Sequence, residues 1–322
     1  MALSLTFAFL FCAISSPLLL SSVKRYRRKK IQQNHEIWSI GIYQGPTPLT
    51  IGPTDDIKNP IFTAQQVTDV KAKFVADPFM IEHNKEFHLF FEVLNSKRNK
   101  GEIGYARSQN MNEWHYGGIV LKEKFHLSYP YLFFHQSDIY MLPECSESNE
   151  IRLYKATTFP GEWEYATTLI KSKKHYPPLL DPSIIYHGGR WYLFSHARKV
   201  NNLHLFSSDA LYGPWQEHPK SPVLTANDHF SRPGGRIIKH GEALYRYAQD
   251  GTPNYGSKVW AFRITELSAE NYHEEQVPGG PIIEAGGEKW NNRGMHTVDA
   301  HQQATGEWIA LVDGLTLQDS VR

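Results

Sequence analysis

Asp77, Tyr129, Asp181 and Arg232 occupy one position of a repeat yet differ in chemistry. Each precedes a proline, in "ADPFMIEHNKEFHLFFE", "SYPYLFFHQSDIYMLPE", "LDPSIIYHGGRWYLFSH" and "SRPGGRIIKHGEALYRYAQD", with successive spacings of 52, 52 and 51 residues. Fifteen residues beyond the first three anchors stand Glu92, Glu144 and His196, and a fifth, looser copy over Gly294–Gly314 carries His296 near the same place. An Asp-Pro pair is a good turn former, because proline fixes φ and aspartate accepts local backbone hydrogen bonds. A purely structural position would keep its residue type, whereas here only the proline persists. The residue before it reads as a differentiated site. Converging carboxylates raise one another's pKa and a neighbouring arginine lowers it, which separates acid from base roles. Asp77, Asp181 and Glu144 are therefore the candidate catalytic groups. Tyr129, Arg232, Arg236, His296, Glu92 and His196 are candidate ligand contacts, with burial inside a blade the competing reading for Glu92 and His196. The two arginines suit an anionic group such as phosphate or a uronate.

Each copy reads as strand, tight turn, strand, and the first three are followed by "IGYARSQNMNEW", "IRLYKATTFPGEW" and "LHLFSSDALYGPW". Units of about 50 residues with three or four short strands are the signature of β-propeller blades. The expectation is an all-β, five-bladed propeller over residues 37–322. Its fifth copy leaves only eight residues for outer strands, so Ile37–Gly45 is expected to pair into the last blade and close the ring. Inner strands line a central channel, which gathers the anchor residues around one mouth. Trp114, Trp163 and Trp215 recur in register and are read as blade packing, and His187–Gly189 as a hairpin turn.

A net charge of +1 and 41% hydrophobic residues favour a large packed core and argue against nucleic acid as a partner. Two cysteines, Cys12 and Cys145, make no disulfide framework. No phosphate loop, nucleophile elbow or zinc spacing occurs, so neither a cofactor nor a metal is expected. Met1–Val23 is uncharged and long enough to span a bilayer as a helix. "KRYRRKK" follows it, the reverse of a secretory signal's order, and residues 24–36 are read as a basic linker. By the positive-inside rule the propeller would lie on the cytoplasmic side of a membrane anchor, with secretion the alternative.

The Asp-Pro first strands and fivefold repeat resemble the arabinanase, xylosidase and invertase propellers. "FVADPFM", "FHLSYPYLF", "IRLYKATTFP" and "RPGGR" more closely resemble the N-terminal domain of plant glucosamine inositolphosphorylceramide transferase and its bacterial relatives, over roughly Trp38–Gly314. The second resemblance implies a sugar-related propeller that binds a carbohydrate or glycolipid head group and serves a glycosyltransferase carried elsewhere. The first implies that Asp77 acts as base or nucleophile and Asp181 as pKa modulator. There the sequence departs: where the hydrolases supply a glutamate acid from blade four, this chain has Arg232, which cannot protonate a leaving group. Glu144 is the substitute. Two readings stand, a recognition module for an anionic glycan and a glycoside-processing enzyme with a displaced acid.

Overall fold

The first turn of each repeat brings two apolar, β-branched and aromatic runs together, and the computed structural model, which describes residues 36–172 and 178–317, resolves them into five antiparallel sheets. Blade one holds Ala72–His83, Glu86–Asn95, Lys100–Ser108 and His115–Leu121, from the axis outward. Blade two holds Ser128–His135, Asp138–Glu144, Glu150–Thr158 and Glu162–Lys171. Blade three holds Leu179–His187, Arg190–Ala197, Asn202–Ser208 and the short Gln216–Glu217. In blade four the inner strand is split into Arg232–Pro233 and Ile238–His240, followed by Ala243–Asp250, Lys258–Leu267 and Tyr272–Gln276. Blade five orders Val298–Gln302, Trp308–Leu317, Glu36–Thr47 and Thr50–Gly52, so the N-terminal strand does pair into the last blade.

The expected apolar helix over residues 1–23 lies outside the described residues; among those described, no helix is long and apolar enough to cross a membrane. Residues Ile37–Thr316 form one compact unit.

The core sits between neighbouring blades. Phe79 and Phe90 meet Tyr131 and Leu142, Phe194 and Leu205 meet Leu244 and Ile264, and Ile40, Ile309 and Leu311 meet Leu89 and Phe91. The three repeated tryptophans pack as expected, each donating its indole N–H to a carbonyl in its own turn: Trp114 to Met111 at 2.8 Å, Trp163 to Pro160 at 2.9 Å and Trp215 to Leu211 at 2.9 Å. Gly188 and Gly189 have φ of +57° and +84°, a left-handed pair that makes the His187–Gly189 turn a hairpin.

Side chains fill the channel below the mouth. The Tyr129 hydroxyl lies 2.9 Å from Ser183 Oγ and donates to the Gly235 carbonyl at 2.9 Å, joining the inner strands of blades two, three and four. Deeper, Arg236 Nε donates to Asp299 Oδ1 at 2.6 Å and its Nη1 to the Leu132 carbonyl at 2.7 Å, while Asp299 also accepts from the Met80 N–H at 2.6 Å. Burial would raise Asp299, but Arg236 and His301 outweigh it and hold the carboxyl down to about 2. Arg236→Met should therefore cost about 3–5 kcal/mol by leaving a buried charge without its partner. Urea unfolding reads this directly, and a loss below about 1 kcal/mol would show that Arg236 does not brace the channel.

Candidate functional site

A β-bulge aims each of the first three anchor residues. In blade one the pairing steps from Ala76↔Glu92 to Phe79↔Phe90, and blades two and three repeat the step as Ser128↔Glu144 to Tyr131↔Leu142 and Leu180↔His196 to Ser183↔Phe194. One extra residue stands on the inner strand each time, and proline, with no N–H to donate, is tolerated at a bulge. The residue before the proline is left-handed in all three blades, with φ of +52° at Asp77, +47° at Tyr129 and +48° at Asp181. Glycine would take that conformation without cost. That aspartate, tyrosine and aspartate hold it instead ties the position to its side chains.

Asp77 is the centre of a blade-one to blade-five network. Its Oδ1 accepts from Thr297 Oγ1 at 2.8 Å, its Oδ2 from the Tyr129 N–H at 3.3 Å, and its own N–H donates to Asp313 Oδ2 at 3.1 Å. Asp313 also receives the N–H groups of His296 and Thr297, at 2.9 and 3.0 Å, and the His296 ring nitrogen Nδ1 at 2.6 Å. Burial pushes Asp77 up to about 6; His296 opposes the rise, and Asp181 and Asp313 add to it. For His296 burial would lower the pKa, but Asp313 and Asp77 outweigh it and leave it raised. Asp77, His296 and Asp313 bring ligand-type atoms within 4.8 Å of one another, so this cluster is where a cation would find donors, although its histidine is already bound to Asp313.

Asp181 builds the other half. Its Oδ2 accepts from Arg232 Nε at 2.5 Å and Gln249 Nε2 at 2.8 Å, whereas Oδ1 is buried and has no hydrogen-bond partner. The Arg232 guanidinium lies 5.1 Å from the centre of the Tyr255 ring, and Tyr255 stays 45% exposed. Tyr255 meets His296 edge to face at 5.3 Å, and Trp38 stacks on His296 at 4.1 Å. An exposed aromatic face, a cation and an unfilled acceptor thus lie side by side at the mouth.

Glu92 and Glu144 are buried beneath it. Glu144 accepts from the Ser146 N–H at 3.0 Å, and burial, with Asp181 adding, pushes its carboxyl up to about 7. Glu92 lies 3.4 Å from His126 Nε2; burial and then Asp77, Glu144, Asp181 and Asp313 raise it well above the carboxylate range. Carboxyls whose charged form burial disfavours thus stand beside carboxylate oxygens that accept hydrogen bonds, a mixture that suits sugar hydroxyls. His196 is driven down to about 3 by burial and Arg232 and lies 3.1 Å from Ser231 Oγ.

The structure therefore gathers Asp77, Asp181, Glu92, Glu144, Arg232, His196 and His296 at one mouth. Tyr129 reaches it only through its backbone, since its ring is wholly buried in the channel, and Arg236 lies deeper, spent on Asp299 and two carbonyls. Sequence reasoning missed Trp38, Tyr255, Gln249 and Asp313. Asp313 had a signal, since it lies on the second strand of its blade as Glu92 and Glu144 do on theirs.

The family described as glucosamine inositolphosphorylceramide transferase 1, N-terminal, matches residues 31–315. A glucosamine inositolphosphorylceramide transferase 1 of Oryza sativa subsp. japonica is 36% identical over 301 residues, and one of Arabidopsis thaliana is 32% identical over 308. These alignments cover 86% and 88% of this chain but only 40% and 39% of the relatives, so the chain spans about two fifths of their length. Among solved structures, a β-1,2-mannobiose phosphorylase from Listeria innocua superposes with a TM-score of 0.60 at 14% identity, covering 84% of this chain and 96% of that one. A thermostable family-43 glycoside hydrolase gives 0.57 at 13%, covering 80% and 91%. Those two likenesses are of fold, and the sequence match decides kinship: the chain belongs to the glucosamine inositolphosphorylceramide transferase 1 N-terminal family.

Proposed function

We propose that the chain is a carbohydrate-recognising propeller that holds a sugar-bearing, anionic head group at its mouth for a glycosyltransferase carried on another domain or chain. The observation that carries this reading is the Asp181–Arg232–Tyr255 arrangement, in which a buried acceptor is unfilled beside a guanidinium and an exposed ring. Arg232 would meet a phosphate or carboxylate, Tyr255 would take a sugar face, and Asp181, Glu92 and Glu144 would meet hydroxyls. The inositolphosphorylceramide in the relatives' name offers hydroxyls and phosphate of that kind. Attachment to a membrane through residues 1–23, with the propeller on the cytoplasmic side, completes the proposal.

A second reading, glycoside cleavage or phosphorolysis, is favoured by one observation: Glu144 at about 7 is a carboxyl that keeps its proton near neutral pH, as a general acid must, with Asp77 at about 6 as its counterpart. Incubating the chain with neutral, uronate-bearing and phosphorylated glycans separates the two. Binding of a phosphorylated or uronate ligand without turnover is the expected result. Turnover abolished by both Asp77→Asn and Glu144→Gln would establish the enzyme instead, and no binding to any glycan would overturn both.

A further inference from the structure

The mouth-side end of blade one carries a charge that the pocket does not use. Lys71 precedes the inner strand, and its carbonyl accepts from the Ser96 N–H at 2.8 Å, which sets it beside the hairpin bearing Lys97 and Arg98. Arg98 Nη2 donates to the Glu123 carbonyl at 2.5 Å, which brings Lys122 and Lys124 to the same rim. Arg98, Lys122 and Lys124, with Asp69, Glu102 and Glu123, line an open cleft of about 750 Å³. The acids of this rim have local partners: Glu102 pairs with Arg98, Glu147 with Lys100 at 2.5 Å, Glu123 accepts the Tyr154 hydroxyl at 2.9 Å, and Asp69 accepts the Tyr116 hydroxyl at 2.7 Å and the Ile119 N–H at 2.8 Å. Lys71, Lys97, Lys122 and Lys124 are exposed, and among the described residues none of them is in an ion pair. At the far end of the same blade Glu82, Glu86 and Glu113 outnumber Lys85 and Arg107, so the charge reverses along the blade.

We infer that this rim is a docking surface for an anionic phospholipid bilayer. Lysine presents a hydrated point charge on a flexible stem, which fits a diffuse layer of lipid phosphates and carboxylates better than the fixed bidentate geometry of a single tightly held anion. The rim also shares its face with the pocket. His126, two residues after Lys124, lies 3.4 Å from Glu92 and accepts the Gly101 N–H at 2.9 Å, so a bilayer on the lysines would have the mouth turned toward its head groups. The inference stands on this placement of charge and does not require the sugar-binding reading.

The test is amide hydrogen exchange on the full chain with phosphatidylcholine vesicles, with and without phosphatidylserine. Peptides covering 95–101 and 121–127 are expected to exchange more slowly on the phosphatidylserine vesicles alone, with the effect reversed by high salt. The triple variant Lys97→Glu, Lys122→Glu, Lys124→Glu should lose that protection, since each exposed lysine near such a surface is worth roughly fivefold in affinity. The N-terminal segment, with its basic run Lys24–Lys30, favours the anionic vesicles by itself, so the comparison that isolates the rim is the parent chain against the triple variant on the same phosphatidylserine vesicles. Equal protection on neutral vesicles, protection only at the far hairpins, or protection kept by the triple variant would each overturn the inference. Protection by heparin but by neither vesicle would overturn it in favour of a polyanionic chain.

Discussion

Glu144→Gln is expected to make the protein more stable at pH 8, by about 3 kcal/mol, while weakening whatever the mouth does. The sign follows from proton counting. In the fold Glu144 titrates at about 7, against 4.5 for an ordinary glutamate, because burial disfavours its charged form. Between those values the folded chain keeps a proton that the unfolded chain has released, so stability falls as pH rises through this window and the loss is complete above about 7. Glutamine cannot ionise, yet its carbonyl can still accept the Ser146 N–H that Glu144 accepts. The variant should lose Glu144's share of the fall in stability between pH 5 and 8, leaving the shares of Glu92 and Asp77 in place. Denaturant midpoints across that range check it. An unchanged slope would show that Glu144 is ionised in the fold and is no proton donor.

Arg232→Ala has the opposite signature. Asp181 is 1% exposed and sends one oxygen to Arg232 and Gln249 while the other is unfilled, so removing the guanidinium strands a buried carboxylate at a cost of about 3 kcal/mol. Adding Asp181→Asn removes that charge and should recover most of the stability, a non-additivity that a double-mutant cycle measures. On the proposed function, ligand binding should not recover with it, because the group proposed to meet the anion is still missing. Recovery of both would reduce Arg232 to a structural partner of Asp181. Equal losses of stability in the single and double variants would mean that the pair is not coupled.

The repeat was legible because each blade is one supersecondary unit whose anchor, turn and second strand keep fixed offsets. Spacings of 52, 52 and 51 gave the blade count and set Asp77, Asp181 and Glu144 at one end. The closing strand was legible from what blade five lacked. Arg236 was not. It follows Arg232 by four residues, and an extended chain sets both on one face but roughly 13 Å apart along it, so the strand rise already takes Arg236 away from the mouth. The chain also leaves the ladder at Gly234 and Gly235, where the Gly234 carbonyl accepts from the Val298 N–H at 2.8 Å and Gly235 has a φ of +147°. A Cβ on Gly235 would stand 1.8 Å from the Val298 carbonyl oxygen, so this close approach to blade five admits only glycine. Arg236 lies beyond this approach, bound to Asp299. Tyr255 was hidden for another reason: it sits on the connection between the second and third strands of blade four, which is longer than its counterparts in blades one to three, and only the closed ring sets it against His296.

Trp38 comes from the first strand of the chain, and His296 and Asp313 come from its last blade, yet the three meet at one pocket wall. A ribosome making this protein must therefore release about 275 residues after Trp38 before that wall can exist. Until then the opening strand has no sheet to join, and the middle blades form without a usable mouth. The contacts that complete the site are among the most non-local in the fold, and such contacts form slowly. Any ligand that needs this wall would thus bind only a chain whose ring has closed, which makes such binding a readout of closure.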